Sequence, residues 1–236
     1  MNYPVEILRE NPWQIPVDDE MLRQFQLYGE ILEDWNGKIN LTAIKEPREV
    51  VVKHFLDSMA LLNYCNVPKN AKLIDVGTGA GFPGVPVKIL RPDVKLTLLD
   101  SLNKRLNFLN ELCNGIVVEA NTIHFRAEEA GRKKELREKF DIATARAVAN
   151  LRELSEYCLP FVNVGGYFVA MKGPSVDEEI EQSKKAIAKL GGKIEKIFSF
   201  ELLDSGSRTI ILIRKVSHTP QNLPRPSAKI AKAPLE

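Results

Sequence analysis

The chain has 236 residues, 44% of them hydrophobic and 27% charged, a composition that suits one globular domain with smaller additions. Its formal net charge of +2 is too small for bulk charge to indicate a nucleic-acid-binding protein. No apolar run approaches the roughly 18 residues of a membrane span. The polar, proline-broken start differs from a secretory signal, so the expected location is the cytoplasm, without membrane contact.

Residues 1–67 are predicted to form an N-terminal helical region. Asp18 is a suitable N-cap for a helix whose apolar residues recur at three- and four-residue steps from Met21 to Trp35. A second helical segment begins near Pro47 and has its own apolar face. The helical pattern then ends at a proline just beyond this region.

The segment 68–215 alternates short apolar runs with helical stretches. Strands joined through helices need crossover connections, so the pattern predicts a mostly parallel sheet with helices on both faces. The last two runs flank the turn-prone stretch 204–206 without a helix between them, which predicts a hairpin and an antiparallel edge strand. A sheet that closes in this way is typical of S-adenosylmethionine (SAM) methyltransferases, so we expect an α/β, Rossmann-like domain of that kind. The predicted strands cover residues 73–77, 95–100, 122–125, 140–145, 166–171, 193–200 and 208–215.

The last segment, 216–236, is a basic tail that contains four prolines, Pro220, Pro224, Pro226 and Pro234. Proline lacks the backbone N–H group that a helix interior or a central strand requires. We therefore expect an extended tail without a regular helix, either laid on the core or free.

A dense glycine motif follows the first predicted strand. Glycine suits a chain that turns sharply into a helix while its backbone approaches a nucleotide-like ligand. Gly77, Gly79 and Gly81 form the G-x-G-x-G pattern of SAM-binding proteins, with Asp75 just before it. Read one step later, Gly79, Gly81 and Gly84 form the G-x-G-x-x-G pattern of dinucleotide-binding proteins. The first register is favoured because Gly77 adjoins the strand, where the turn must begin; a purely structural turn is the remaining alternative.

Three further positions lie at the ends of later strands. Asp100 closes the second predicted strand about 21 residues after Gly79, where a carboxylate can accept both ribose hydroxyls of an adenosine. It can also cap the next helix. Ala127 and Glu128 follow the third strand, where an adenine ring would lie, although Glu128 also suits an exposed helix start. Arg146 ends the fourth strand above the expected ligand crevice, with an ordinary surface arginine as the alternative.

Motifs of several other methyltransferases are absent. The segment after the fourth strand has no Asn/Asp-Pro-Pro-Tyr/Phe element, which is usual in enzymes that methylate exocyclic amines. Methylation at pyrimidine C5 needs a thiolate, and Cys158 lies in an apolar run that suits the core. His54, His124 and His218 lack metal-ligand spacing, so no metal is expected. An acceptor with an unprotonated lone pair, such as guanine N7, needs only positioning, and no catalytic residue is predicted.

Several segments of the chain together form a specific pattern. They are NLTAI (40–44), KHFLDS (53–58), LIDVGTGAGFPGVPVKILRPD (73–93), TLLDSLNKRLNFL (97–109), RAEE (126–129), ARA (145–147), MKGP (171–174) and the proline-containing tail. With these segments the chain resembles the bacterial ribosomal RNA small-subunit methyltransferase G family, also called glucose-inhibited division protein B. The resemblance implies SAM-dependent methylation of guanine N7 in 16S ribosomal RNA, with that RNA or an assembling small subunit as partner. The SAM-contacting positions of the family match Gly77, Phe82, Ala127, Glu128 and Arg146, beside Gly79 and Asp100 from the motif analysis.

The predicted RNA surface surrounds the mouth of the crevice and consists of Arg146, Lys172, Arg225, Lys229 and Lys232. Three alternatives remain open. A SAM methyltransferase with a non-RNA acceptor shares every motif above. A nicotinamide-dependent oxidoreductase would use the second glycine register, but the chain has no evident Tyr-x-x-x-Lys pair or His/Asp couple for hydride transfer. A non-catalytic RNA-binding module is disfavoured by the intact glycine motif.

Overall fold

A seven-stranded sheet forms the centre of the computed structural model, which describes residues 2–146, 149–174 and 176–236. Ala147, part of the ARA segment above, therefore lies outside the described residues. The strands are β1 (Lys72–Val76), β2 (Lys95–Asp100), β3 (Ala120–His124), β4 (Phe140–Arg146), β5 (Val162–Lys172), β6 (Gly192–Glu201) and β7 (Ser207–Lys215). Their order in the sheet is β3-β2-β1-β4-β5-β7-β6.

The strands β1 to β5 are parallel to one another, and β7 is antiparallel to both β5 and β6. The predicted mostly parallel sheet and its edge hairpin are confirmed. Within the hairpin, β7 takes the inner place, so the antiparallel strand lies second from the edge. The burial of the two strands explains this arrangement: residues 209–213 of β7 are all buried, whereas most of β6 is partly or fully exposed.

Helices cover both faces of the sheet. They are α1 (Asp19–Asn36), α2 (Pro47–Val50), α3 (Asp57–Tyr64), α4 (Gly84–Leu90), α5 (Asn103–Gly115), α6 (Ala127–Ala130), α7 (Leu151–Cys158), α8 (Asp177–Lys189) and α9 (Ser227–Lys232). Leu73 belongs to the apolar core that includes side chains of α1, α3, α4 and α5, whereas its neighbour Ile74 belongs to the core that includes side chains of α7 and α8. Successive side chains of a strand point to opposite faces, so β1 contributes to two separate apolar cores.

The N-terminal region packs directly on one of these cores. The predicted cap of α1 is confirmed, because the Asp18 side chain accepts a hydrogen bond of 2.8 Å from the Met21 backbone N–H. Between α2 and α3 the backbone forms a π-helix over Val51–Leu56. Such segments are rare and often lie at functional sites. No helix among the described residues is long and apolar enough to cross a membrane.

The expectation that the tail contains no regular helix is wrong for Ser227–Lys232, which form α9. Pro226 and Pro234 lie outside these six residues, so neither proline interrupts a helical hydrogen bond. The buried side chain of Ile230 holds the helix against the core.

The tail before α9 is irregular, with a turn over residues 221–222, and is tied to the domain. Arg132 and Arg137 donate hydrogen bonds to five backbone carbonyl groups in the tail, those of residues 219, 220, 222, 223 and 224. These carbonyl groups lie outside any strand, so the guanidinium groups supply the hydrogen bonds that a sheet would otherwise give them. The fully buried Lys215 ammonium also donates to Thr219 Oγ1 at 2.7 Å.

Candidate functional site

A crevice of about 640 Å³ opens at the carboxyl ends of the central strands. Its wall includes the residues that follow β1 and β2, the start of α6, and the end of β4. In the sheet β1 lies between β2 and β4, so the chain runs outward in opposite directions from this point. Ligands of open α/β sheets bind at such a switch point.

The glycine motif forms the floor of the crevice. Gly77, Gly79 and Gly81 all have positive φ angles, of 69°, 58° and 93°. A Cβ atom at Gly79 would meet no atom closer than 3.9 Å, so the backbone there faces open space. At Gly81 a Cβ atom would lie 2.6 Å from the Tyr28 hydroxyl, so this glycine is needed for packing. Gly77 and Gly79 line the crevice but Gly81 and Gly84 do not, which favours the G-x-G-x-G register.

Asp75 fixes the conformation of the glycine loop through hydrogen bonds on the side away from the crevice. Its Oδ2 atom accepts hydrogen bonds from Thr78 Oγ1 at 2.8 Å and from the Gly84 backbone N–H at 2.9 Å. The side chain is fully buried, and burial raises the pKa of the Asp75 carboxyl to about 6. Dinucleotide-binding folds place a pyrophosphate at the N-terminus of the corresponding helix. Here that end of α4 already carries a carboxylate, which disfavours the oxidoreductase alternative.

Asp100 lies in the crevice wall and is 2% exposed. Its carboxylate accepts the backbone N–H groups of Gly79 at 3.0 Å and Leu102 at 2.9 Å, and Arg105 lies 3.4 Å away. A carboxylate has about four acceptor positions, so these contacts leave capacity for a ligand. The Leu102 N–H precedes α5, whose N-cap makes no side-chain hydrogen bond, so Asp100 does not cap that helix and its place is in the crevice wall.

Ala127 and Glu128 lie at the end of the crevice next to β2 and β3. Glu128 is 7% exposed, so it is not the solvated helix-start acid that the sequence also allowed. Tyr157 from α7 and Ser227 from α9 complete this end. Sequence reasoning missed both, because neither lies near a strand end and α9 itself was not predicted.

Arg146 lies at the other end of the crevice and is not a surface arginine. Its side chain is 13% exposed and donates to Asp57 Oδ2 at 2.8 Å, to the Lys53 carbonyl at 3.1 Å and to His54 Nδ1 at 2.9 Å. The guanidinium also packs over the Phe82 ring at 4.9 Å. Arg146 therefore fixes the π-helix of the N-terminal region against β4.

The N-terminal region contributes its own residues to this end. The His54 ring stacks on Phe82, with 4.5 Å between ring centroids, and its Nε2 atom lies 2.8 Å from Thr42 Oγ1. Burial and the Arg146 charge lower the pKa of His54 to about 3, so the imidazole is neutral near pH 7. Thr42 and His54 both line the crevice. Their only sequence signal was their place in the NLTAI and KHFLDS segments.

The predicted RNA-binding residues separate into two groups. Lys172 is 11% exposed and pairs with Glu179 at 2.7 Å, and Arg225 is 13% exposed and pairs with the buried Glu156. Both cations are paired within the fold, and each of the three guanidinium nitrogens of Arg225 makes a hydrogen bond. Lys229, by contrast, is exposed on α9, the helix that brings Ser227 to the crevice.

The crevice suits SAM in size and chemistry. Drug-sized ligands occupy pockets of about 300–1,000 Å³. The carboxylates of Asp100 and Glu128 match the hydroxyl and amino donors of an adenosine, and the open backbone at Gly79 permits close approach. Cys158 is fully buried and is not among the crevice residues, in agreement with its predicted place in the core. Among the described residues, no group of three His, Cys, Asp or Glu side chains is arranged to hold a metal ion.

Comparison with known proteins identifies the family. The family model described as GidB, rRNA small subunit methyltransferase G, matches residues 21–211. The chain is similar to the ribosomal RNA small subunit methyltransferase G of Clostridium novyi, with 51% identity over 92% of this chain and 90% of the relative. The corresponding protein of Acetivibrio thermocellus is 52% identical over 94% of this chain and 91% of its own length.

Solved structures confirm the fold. The ribosomal protein L11 methylase of Lactobacillus delbrueckii superposes with a TM-score of 0.52 and 16% identity, over 70% of this chain and 79% of that one. TYW2 of Methanococcus jannaschii, solved in complex with AdoMet, gives a TM-score of 0.52 and 13% identity, over 72% of this chain and 77% of that one. The predicted Rossmann-like methyltransferase fold is therefore correct.

Proposed function

Because this chain belongs to the rRNA small subunit methyltransferase G family, whose methyl donor is SAM, we propose that it methylates N7 of a guanosine in 16S ribosomal RNA. The observation that carries the choice of atom is the state of His54. This imidazole lies where the acceptor would enter, yet it is neutral and both of its nitrogens are engaged by Arg146 and Thr42. A guanine N7 lone pair needs no base, so this site suits it.

In this proposal SAM spans the crevice from β3 to β4. Asp100 accepts the ribose hydroxyls, Ala127 and Glu128 border the adenine, and the backbone of Gly77 and Gly79 borders the remainder. Phe82 and Arg146 form the wall beyond it. When bound, SAM supplies an electrophilic methyl group on a sulfonium centre.

The chain then contributes position and electrostatics rather than proton transfer. Holding two reactants in a near-attack geometry replaces a large part of the entropic barrier of a bimolecular reaction. Positive charge moves onto the purine during transfer, so an unpaired cation beside it would be unfavourable. Asp57 pairs with Arg146 at 2.8 Å and lies 3.5 Å from Arg208, which reduces the net positive charge at this end.

The RNA surface in this proposal centres on α9. Lys229 and Lys232 are exposed there, and either 16S ribosomal RNA or an assembling small subunit would bring phosphates to them. Arg146 and Lys172 stabilise the mouth of the crevice through their ion pairs with Asp57 and Glu179, and Arg225 fixes the tail through its ion pair with Glu156. In this proposal the three regions have separate roles. Residues 1–67 form the wall next to the acceptor, residues 68–215 form the SAM-binding domain, and residues 216–236 form a tail that faces the RNA.

Methyl transfer with labelled SAM and small subunits at several assembly stages tests this proposal. N7-methylated guanosine makes an RNA strand cleavable by borohydride and aniline, so one new cleavage site is expected. Label in RNA without cleavage would contradict N7 as the acceptor. Label in protein, with none in RNA, would support a non-RNA acceptor instead.

A further inference from the structure

Thr42 carries a hydroxyl group whose hydrogen-bonding role is largely fixed by its neighbours. Its Oγ1 atom accepts the Ile44 backbone N–H at 3.1 Å and lies 2.8 Å from His54 Nε2. On the other side of the imidazole, Nδ1 lies 2.9 Å from an Arg146 guanidinium nitrogen. These contacts form a chain from Arg146 through His54 to Thr42.

The direction of each hydrogen bond in this chain follows from chemistry. A guanidinium group only donates, so His54 Nδ1 must accept and carries no proton. A neutral imidazole has one proton, which therefore lies on Nε2 and is donated to Thr42 Oγ1. Burial and the Arg146 charge lower the pKa of His54, which agrees with a neutral imidazole.

The hydroxyl of Thr42 thus accepts two hydrogen bonds, one from His54 and one from Ile44. A hydroxyl has two acceptor lone pairs and one donor. Its lone pairs are filled, and no acceptor for its proton is present among the described residues. Thr42 is only partly buried and lines the crevice. The neighbours therefore leave this hydroxyl with one function toward a ligand, which is to donate.

Thr42 also lies at the end of the crevice where the proposed function places the acceptor base. His54 contacts Arg146 at the end of β4 and stacks on Phe82, so Thr42 is at the end away from Ala127 and Glu128. In the proposed function that end receives the acceptor base. Guanine presents two acceptors side by side on this edge, N7 and O6, whereas adenine presents N7 beside an amino donor.

We propose that Thr42 selects guanine by donating a hydrogen bond to O6 while N7 faces the methyl group. This inference rests on the proposed function and adds the residue that determines base specificity. Adenine would be rejected because its amino group meets a hydroxyl that can accept nothing further. Arg146 and His54 act as positioning residues that hold Thr42 in its donating state.

Replacement of the base at the target tests this contact without changing its size. After cleavage mapping locates the methylated guanosine, RNAs are made with guanosine, inosine or 2-aminopurine at that position. Inosine keeps O6 and lacks the 2-amino group, whereas 2-aminopurine keeps that amino group and lacks O6. The kcat/KM values of the wild type, Thr42→Ser and Thr42→Val are measured on the guanosine and 2-aminopurine RNAs, and SAM affinity is measured by calorimetry.

The wild type and Thr42→Ser should prefer guanosine to 2-aminopurine about 10-fold more strongly than Thr42→Val does, since a base-edge hydrogen bond is worth roughly that factor. The intrinsic reactivity of each base cancels in this comparison. SAM affinity should be the same in all three proteins. An equal preference in all three would overturn the role of Thr42.

A second measurement needs no variant. With the wild type, inosine RNA should compete with guanosine RNA as well as guanosine RNA itself does, and 2-aminopurine RNA should compete about 10-fold more weakly. Equal competition by the inosine and 2-aminopurine RNAs would overturn the contact to O6. A wild type that produces no cleavable guanosine would instead overturn the proposed function, and the inference with it.

Discussion

Arg225 and Glu156 form a buried, doubly hydrogen-bonded ion pair that joins the tail to α7. Arg225 Nε lies 2.9 Å from Glu156 Oε1, and its terminal nitrogen lies 2.7 Å from Oε2. The backbone N–H of Arg225 donates to the same carboxylate at 2.8 Å. The Glu156 side chain is 1% exposed, so this acidic group depends on the tail for its compensation.

Replacement of Arg225 by alanine should therefore lower the free energy of unfolding by about 3–5 kcal/mol, because a buried carboxylate loses its partner. Urea denaturation measures the change. Lys229→Ala is the matched control, since this lysine is exposed in the same tail and its loss should alter stability by less than about 0.5 kcal/mol. Equal effects of the two variants would show that the pair does not stabilise the fold.

Asp100→Asn should weaken SAM binding about 10- to 100-fold, because charge-assisted hydrogen bonds to the ribose are lost. Calorimetry gives the dissociation constant directly. Asp141→Asn is the control: this carboxylate bonds the Lys72 backbone and Asn163 at the opposite, amino end of the sheet. It should leave the affinity for SAM unchanged. A folded Asp100→Asn protein with wild-type affinity would remove Asp100 from the proposed site.

The double variant Lys229→Gln/Lys232→Gln should reduce the salt dependence of RNA binding. The slope of log affinity against log salt is negative, and each lost phosphate contact makes it less steep by about 0.7 for single-stranded RNA. The loss of two contacts should therefore make it less steep by about 1.4. Lys184→Gln/Lys185→Gln on α8 carries the same charge change away from the crevice and serves as control. Identical slopes for both double variants would exclude α9 from the RNA surface.

Deletion of the whole tail is a poor substitute for these variants. Lys215 is fully buried, and one of its hydrogen bonds goes to Thr219 in the tail. Glu156 would also lose Arg225. Loss of RNA binding after truncation would therefore report on unfolding as readily as on phosphate contacts.

Asp75→Asn should become more stable relative to the wild type as pH rises from 4 to 7. Burial raises the pKa of Asp75 in the folded protein to about 6, above the ordinary aspartate value of 3.8. Its protonated form stabilises the fold below pH 3.8, and this contribution is lost as pH rises through 6, to a limit of about 3 kcal/mol. Urea denaturation of the ligand-free proteins across this range measures the difference.

Asp93→Asn provides a control of opposite sign. Hydrogen bonds from Arg91 and a backbone N–H hold the pKa of Asp93 below its usual value. Its carboxylate therefore stabilises the wild type above about pH 4, and that advantage disappears on acidification. Parallel pH profiles for the two variants would contradict the assignment of the raised pKa to Asp75.

The sequence predicted those site residues whose position is local. Gly77, Gly79 and Asp100 each lie at the end of a strand, and strand ends in a parallel sheet meet at one edge. The alternation of short apolar runs with helical stretches was sufficient to locate these strands, so the residues of the crevice floor were predictable. The position of Arg146 at the crevice followed from the same logic, although its burial and its partners did not.

The opposite walls of the crevice depend on contacts between distant parts of the chain. Arg146 and His54 are separated by 92 residues, and Arg225 and Glu156 by 69. No periodicity encodes such pairings, so the sequence pattern indicates neither the place of His54 in the crevice nor the ion pair of Arg225. Helix α9 was not predicted for a different reason. The prolines of the tail argue against a helix that contains them, but two prolines can also flank a short helix.

Because β7 lies between β5 and β6, local unfolding at this edge of the sheet should release both strands of the hairpin together. Within the described part of the chain, β6 pairs only with β7, whereas β7 also pairs with β5 from Tyr167–Arg214 to Lys172–Thr209. Separation of β7 from β5 would therefore carry β6 with it, and the two strands form one cooperative unit of local unfolding. Backbone amides that bridge β5 and β7 become accessible to exchange in a single event, while β1, β2 and β4, which surround the crevice, keep their pairing.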